Sequence, residues 1–300
     1  MTNPELKAFV GVARAPFLLL PPTLVASGAA AAAWGGAFSW SRTVLAAVGL
    51  VALHMAVNIF NEWSDMRTGI DLHTERTPFS GGSGTLPAGA MSPRTALLFG
   101  IVCSVVGLGI GLWFLRLVGW VLLPIILAGA FSVVAYTDVL ARIGVGELAA
   151  GFGLGAGPVI GAALVQDGSW SRAAVWVAIP AFLMTFNLLF LNEFPDETAD
   201  RQGGRRNLVI LFGRRPAAWM YAAAALATPL VIVLGVVLRA LPVPLLIAVL
   251  PSLLLVKPLA WVMADPAQPV PLPALGANVV WNLATNTLAA IGFVVALLMR

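Results

Sequence analysis

The chain has 300 residues, 60% of them hydrophobic and only 10% charged, with a net charge of +4. About a quarter of a soluble domain is charged, so this composition excludes an ordinary soluble globular protein. It also argues against a nucleic-acid partner, because the basic residues are few and scattered among segment ends instead of forming a patch.

Apolar runs long enough to cross a hydrocarbon core of about 30 Å recur throughout. Nine are expected, at roughly 13–36, 41–65, 95–115, 118–137, 145–166, 172–194, 216–238, 240–264 and 275–299. The pattern predicts an all-α, polytopic membrane bundle of about nine transmembrane helices forming one domain over 1–300. The first run follows Arg14 directly and continues as a span, without the signature of a cleavable leader. The single cysteine, Cys103, falls mid-span and reads as a packing residue.

Charge sets the expected orientation. With the N-terminus inside, the cytoplasmic segments hold eleven basic residues, namely Lys7, Arg14, Arg67, Arg76, Arg94, Arg142, Arg201, Arg205, Arg206, Arg214 and Arg215. The outer segments hold five, Arg42, Arg116, Arg172, Arg239 and Arg300, while Lys257 snorkels from the eighth span. This asymmetry predicts an inner-membrane protein with a cytoplasmic N-terminus. The two longest polar segments, 66–94 and 196–214, then lie on the cytoplasmic side and are expected to cap the bundle.

The second and sixth spans each end in an acidic cluster. They read Asn58-Ile-Phe-Asn61-Glu62-Trp-Ser-Asp65-x5-Asp71 and Asn192-Glu193-Phe-Pro-Asp196-Glu197-Thr-Ala-Asp200-Arg201. Seven of the thirteen acidic residues lie in these two stretches. Helix C-termini favour cations, so carboxylates collected there call for a metal or another charge. Residues three or four apart share a helix face, which lines up Asn58, Asn61 or Glu62 with Asp65, and Asn192 with Asp196 and Asp200. Facing stripes of hard oxygen ligands suit Mg²⁺ shared with a diphosphate. The bland alternative for each cluster alone is a solvated, capped helix end. A secondary transporter for an anionic solute is the reading from another class, but its charged residues belong near the midplane.

These residues resemble the UbiA superfamily of intramembrane prenyltransferases over essentially the whole chain. The run Asn61-Glu62-Trp63-Ser64-Asp65-x3-Gly69-Ile70-Asp71 is most similar to the 1,4-dihydroxy-2-naphthoate polyprenyltransferase branch; the 4-hydroxybenzoate branch has Asp where this chain has Gly69. The run from Asp196 through Asp200-Arg201 to Gly204-Arg205-Arg206-Asn207-Leu208 resembles the second motif of the quinone enzymes, with Arg205 and Asn207 replacing the usual Lys and Thr. The resemblance implies Mg²⁺-dependent transfer of a polyprenyl group from its diphosphate to an aromatic acceptor in menaquinone biosynthesis. Other acceptors within the family are a further quinone precursor, a tetrapyrrole or a glycerol-phosphate lipid.

The residues expected to hold the metal are Asp65, Asp71, Asp196 and Asp200. Asp65 and Asp196 are also assigned to catalysis, with Tyr136 offering its ring to a developing carbocation. Asn58, Asn61, Asn192, Arg14, Arg76, Arg201 and Arg205 are expected to bind the diphosphate. Ser80-Gly81-Gly82-Ser83-Gly84 reads either as an anion nest or as the hinge of a cap, and Asn278, Asn282 and Asn286 as interhelical hydrogen bonding.

Overall fold

The computed structural model describes residues 4–74 and 76–300. Among the described residues every regular element is helical. We label α1 Pro4–Val12, α2 Ala15–Trp34, α3 Trp40–Thr68, α4 Ile70–His73, α5 Pro93–Val118 and α6 Trp120–Ala135. There follow α7 Gly146–Asp167, α8 Arg172–Gln202, α9 Leu208–Phe212, α10 Arg214–Val237, α11 Val243–Ala264 and α12 Leu272–Leu298. Eight of these are long and apolar enough to span a bilayer. The remaining expected span, 118–137, corresponds to α6, a shorter apolar helix, so the count of about nine holds with one short member. Short α1, α4 and α9 flank the spans at the end of the bundle that carries both acidic motifs.

Packing between the spans relies on small residues and interior hydrogen bonds, as expected where lipid removes the hydrophobic drive for helix association. Gly28 of α2 sits directly against the Val159 backbone of α7, and Gly292 of α12 against the Leu245 backbone of α11. Asn278 of α12 donates to the Asn187 carbonyl of α8 (3.0 Å) and accepts from the Tyr221 hydroxyl of α10 (3.0 Å). Asn187 in turn donates to the Tyr221 carbonyl (3.1 Å). Asn286 donates to Asn282 one turn earlier (2.8 Å), so the polar ladder of the last span is an interhelical and intrahelical network.

Helix α8 shows how the sequence aims the second motif. Phe182, Phe186, Phe190 and Phe194 recur every fourth residue and form successive ring contacts, the last closing edge-on against Trp261 of α11 at 4.9 Å. Two residues advance a helix by about 200°, so Asn192, Asp196 and Asp200 project from the opposite side. The aromatic stripe is fixed in the core, and the acidic stripe is thereby fixed toward α3.

Candidate active site

Two glycine-ended helices bring the acidic motifs together. Helix α3 stops at Gly69, whose φ of 81° is the left-handed cap that glycine adopts without penalty. The chain doubles back into α4 and buries Asp71 beside the end of α3. Helix α8 likewise ends at Gly203 and Gly204 (φ 79°), and the turn returns Arg205 to the helix it has just left, its amide bonded to the Asp200 carbonyl (2.9 Å). Asn207 then caps α9 by accepting the Ile210 amide (2.9 Å) and donates to Asp200 Oδ2 (2.9 Å).

The result is a polar chamber of about 90 Å³ between α3, α8 and the loops that follow them. Of the expected site residues, Asn61, Asp65, Asp71, Asn192, Asp196, Asp200, Arg14, Arg205 and Tyr136 all line it. Arg205 joins the two motifs, pairing with Asp65 through Nη2 and with Asp200 Oδ1 through Nη1 (3.0 Å). Burial opposes a charge on Arg205, but the Asp65 and Asp200 carboxylates outweigh it and hold the guanidinium above its ordinary range. Burial, reinforced by the nearby Asp65 and Glu62 carboxylates, pushes the Asp71 carboxyl up to about 7.

Three expected diphosphate ligands are not in the lining. Asn58 donates to the Ala13 carbonyl (3.0 Å) and so ties α3 to the turn before α2. Arg76 donates to the Asp71 backbone carbonyl (2.6 Å) and braces α4. Arg201 is 57% exposed and pairs with Glu197 one turn back (3.0 Å).

Residues outside the expected ligand set also build this end of the bundle. Glu193 lines the chamber. Glu147, fully buried at the start of α7, accepts the Leu208 amide (2.5 Å) and anchors α9. Ser64 donates to Asp138 (2.6 Å), linking α3 to the loop after α6. Glu62 is not in the chamber lining and accepts from Ser83. The signal for Glu193 was present, since it stands three residues before Asp196 and seven before Asp200 and so shares their helix face.

Among the described residues no three His, Cys, Asp or Glu side chains stand close enough to form a ready-made metal centre. The donor set nevertheless fits a divalent cation shared with a ligand. Asp71 Oδ2, Asn192 Oδ1 and Asp196 Oδ1 are buried, line the same chamber and have no hydrogen-bond partner among the described residues. Buried acceptors of this kind are costly unless something cationic or hydrogen-bonding meets them.

A second, apolar cavity of about 230 Å³ lies between α3, α5, α6 and α7. It runs from Val133 and Leu154, near the acidic end, to Phe114, Leu122 and Val165 at the opposite end of the bundle. Among its glycines, Gly129 and Gly161 leave the bore wide, since an added Cβ would meet nothing within 4 Å at the first and only Ile125, at 3.4 Å, at the second. Tyr136 lines both cavities and so stands where they meet.

Fold and site together define a polytopic α-helical membrane protein that sets a carboxylate and arginine chamber at the head of a long apolar cavity. The chain belongs to the UbiA prenyltransferase family, whose model matches residues 19–275. It is 26% identical over 206 residues, 66% of this chain and 63% of the relative, to a 1,4-dihydroxy-2-naphthoate octaprenyltransferase of Bacillus subtilis (strain 168). The match thus spans less than two thirds of that relative. It is 29% identical over 227 residues, 73% of this chain and 77% of the relative, to a digeranylgeranylglyceryl phosphate synthase of Natronomonas pharaonis. Among solved structures, the apo form of a UbiA homolog from Aeropyrum pernix K1 has a TM-score of 0.71 at 18% identity, over 94% of this chain and 98% of that one. A UbiA homolog from Archaeoglobus fulgidus bound to GPP and Mg²⁺ has a TM-score of 0.69 at 14% identity, over 96% and 99%. At these identities the two structures establish the shared fold.

Proposed function

We propose that this protein transfers a polyprenyl group from its diphosphate to an aromatic acceptor in a Mg²⁺-dependent reaction, the acceptor being of the 1,4-dihydroxy-2-naphthoate type. The observation that carries the reading is the adjacency at Tyr136, which lines both a polar chamber of carboxylates and arginines and an apolar cavity. An allylic diphosphate has that same division, a charged head and a hydrocarbon tail. Its first carbon, joining the two, lies at the junction when each part occupies its matching cavity.

In this reading Asp65, Asp71, Asp196 and Asp200 hold the metal, which when bound neutralises the diphosphate as a Lewis acid. Arg14 and Arg205 hold the diphosphate oxygens, and a guanidinium fork suits them because it donates two parallel hydrogen bonds. Asn61 and Asn192 supply amide contacts to the same oxygens. The C–O bond breaks with its electron pair leaving on the diphosphate. The π face of Tyr136 stabilises the allylic cation, the electron-rich ring of the acceptor attacks it, and the ring regains aromaticity by giving up the proton of the attacked carbon to the released diphosphate or to water. Asn58, Arg76 and Arg201 act at a distance, by tying down the turns and helix ends that carry these groups.

The Bacillus relative supports the naphthoate-type acceptor. The Natronomonas relative supports a second reading, transfer to a glycerol-phosphate lipid, with the same donor chemistry. The charge asymmetry of the loops favours an inner-membrane location with the chamber on the cytoplasmic side.

The test is to incubate purified protein with Mg²⁺, geranylgeranyl diphosphate and a panel of naphthoate, benzoate and glycerol-phosphate acceptors, following diphosphate release and product mass. A prenylated naphthoate absent from Asp65→Asn and Asp196→Asn preparations is the expected result. Product only with a glycerol-phosphate acceptor would move the assignment to the second reading. No diphosphate release with any donor length would remove the prenyltransferase assignment.

A further inference from the structure

One carboxylate of the first motif has no place in the chamber. Glu62 is fully buried, and both of its oxygens are engaged by one residue of the following loop. Oε1 accepts the Ser83 backbone N–H at 2.5 Å and Oε2 accepts the Ser83 hydroxyl at 2.6 Å. The Ser83 hydroxyl also accepts the Thr85 amide (3.1 Å), which extends the tether along the loop. From the other side the Arg14 guanidinium approaches Glu62 Oε1 to 3.9 Å. Arg14 lies in the turn between α1 and α2 with a left-handed φ of 53° and itself lines the chamber.

The loop that Glu62 holds is a wall of the chamber. Phe79, Ser80, Gly81 and Gly82 line it, and Gly81, Gly82 and Gly84 all have φ between 71° and 81°. Gly82 lies so close to Asp71 that an added Cβ would stand 2.8 Å from Oδ1. A run of glycines has little intrinsic preference for this path, since each populates both signs of φ about equally. The path is set by the anchored residue between them.

We propose that Glu62 is a positioning residue, which latches residues 79–85 across the polar chamber through Ser83 and turns Arg14 into it. This rests on the diphosphate reading above for what the chamber binds, whereas the latch itself does not depend on it. A carboxylate suits the site because its two oxygens accept from the Ser83 N–H and hydroxyl while the Arg14 guanidinium supplies the opposite charge. A glutamine there has one acceptor oxygen for the Ser83 N–H, meets the hydroxyl only if that group turns to accept from its NH₂, and has no charge for Arg14.

The experiment compares hydrogen exchange of the 77–91 segment in the unaltered protein, Glu62→Gln and Ser83→Ala, in detergent and without substrate. Exchanging a charged acceptor for a neutral one in both bonds is expected to speed exchange roughly fivefold in Glu62→Gln, and losing the hydroxyl alone roughly threefold in Ser83→Ala. Exchange in α10 should not change. With substrate, KM for the prenyl diphosphate should rise roughly tenfold in Glu62→Gln with kcat and the Mg²⁺ concentration for half-activation unaltered, the pattern of lost binding shared by ground and transition states. Unchanged exchange of 77–91 in both variants would overturn the latch. So would a raised Mg²⁺ requirement with unchanged exchange, because that makes Glu62 a metal ligand. If Glu62→Gln does not fold, Ser83→Ala decides the matter by the same readings. Failure of the prenyl-transfer reading would show instead as no turnover by the unaltered protein, with the exchange result still standing.

Discussion

Arg205 is the residue on which the geometry of the site converges, since it pairs with Asp200 of the second motif, five residues away, and with Asp65 of the first, 140 positions away in sequence. Removing it leaves two buried carboxylates without their shared cation, and breaking a buried pair from one side typically costs about 3–5 kcal/mol. Arg205→Ala is therefore expected to lower the melting temperature of the detergent-solubilised protein and to weaken diphosphate binding. Arg205→Lys should recover much of the stability but less of the binding, because an ammonium makes one point contact where the guanidinium bridges two carboxylates. Equal melting temperatures for Ala and wild type would show that the ion pair contributes nothing. Tyr136 is expected to act through its ring and not its hydroxyl. Tyr136→Phe should then keep kcat within a factor of two or so, while Tyr136→Leu lowers kcat by roughly tenfold, the size of a desolvated cation–π contact. Equal losses in both would assign the role to the hydroxyl.

At the scale of elements, the spans and both acidic helix ends were legible in the sequence, because length, apolarity and i, i+4 spacing survive folding unchanged. What was not legible was which partner a polar side chain would find. Asn58, Arg76 and Arg201 carry the right chemistry at the right distance along the chain, yet Asn58 bonds to the Ala13 carbonyl from within α3, Arg76 folds back onto the Asp71 carbonyl after the turn at Gly69, and Arg201 pairs with Glu197 along the last turns of α8. Glu62 shares a motif with Asp65 and lies only about 60° around the helix from it, one turn earlier, yet its carboxylate is captured by Ser83 of the following loop and stays out of the chamber lining. The apolar cavity was legible only as an expectation of a home for the tail, since its width depends on which helix faces the glycines occupy. That cavity makes a prediction of its own. Gly129 lines it, and a Cβ added there meets nothing within 4 Å. Gly129→Leu is expected to fill the bore without straining α6. The ratio of kcat/KM for geranylgeranyl over geranyl diphosphate should fall, by roughly tenfold or more if the mismatch equals a methylene or two. An unchanged ratio would place the tail elsewhere.

For the whole molecule, the fold fixes which segments share an end but leaves open which end faces the cytoplasm. The loops beside the chamber carry most of the basic residues, and the opposite end carries exposed Trp40, Trp113, Trp120 and Trp170, the kind of aromatic belt that sits at a membrane interface. Both features agree with the chamber facing inward, where a charged diphosphate would be drawn from the cytoplasm. The lone cysteine, Cys103, is buried, which makes the orientation measurable with little background. Single cysteines placed at Ser169, in the short loop between α7 and α8, and at Gln202, at the end of α8 beside the chamber, report opposite ends of the same helix. In intact cells a membrane-impermeant maleimide is expected to label the first, and to label the second only after permeabilisation. The reverse pattern would put the carboxylates and arginines on the outer face, away from any cytoplasmic supply of diphosphate. Chemistry and charge asymmetry would then conflict, and since Lys and Arg in short loops are what orient a polytopic protein during insertion, the proposed donor would have to be abandoned before the fold was questioned.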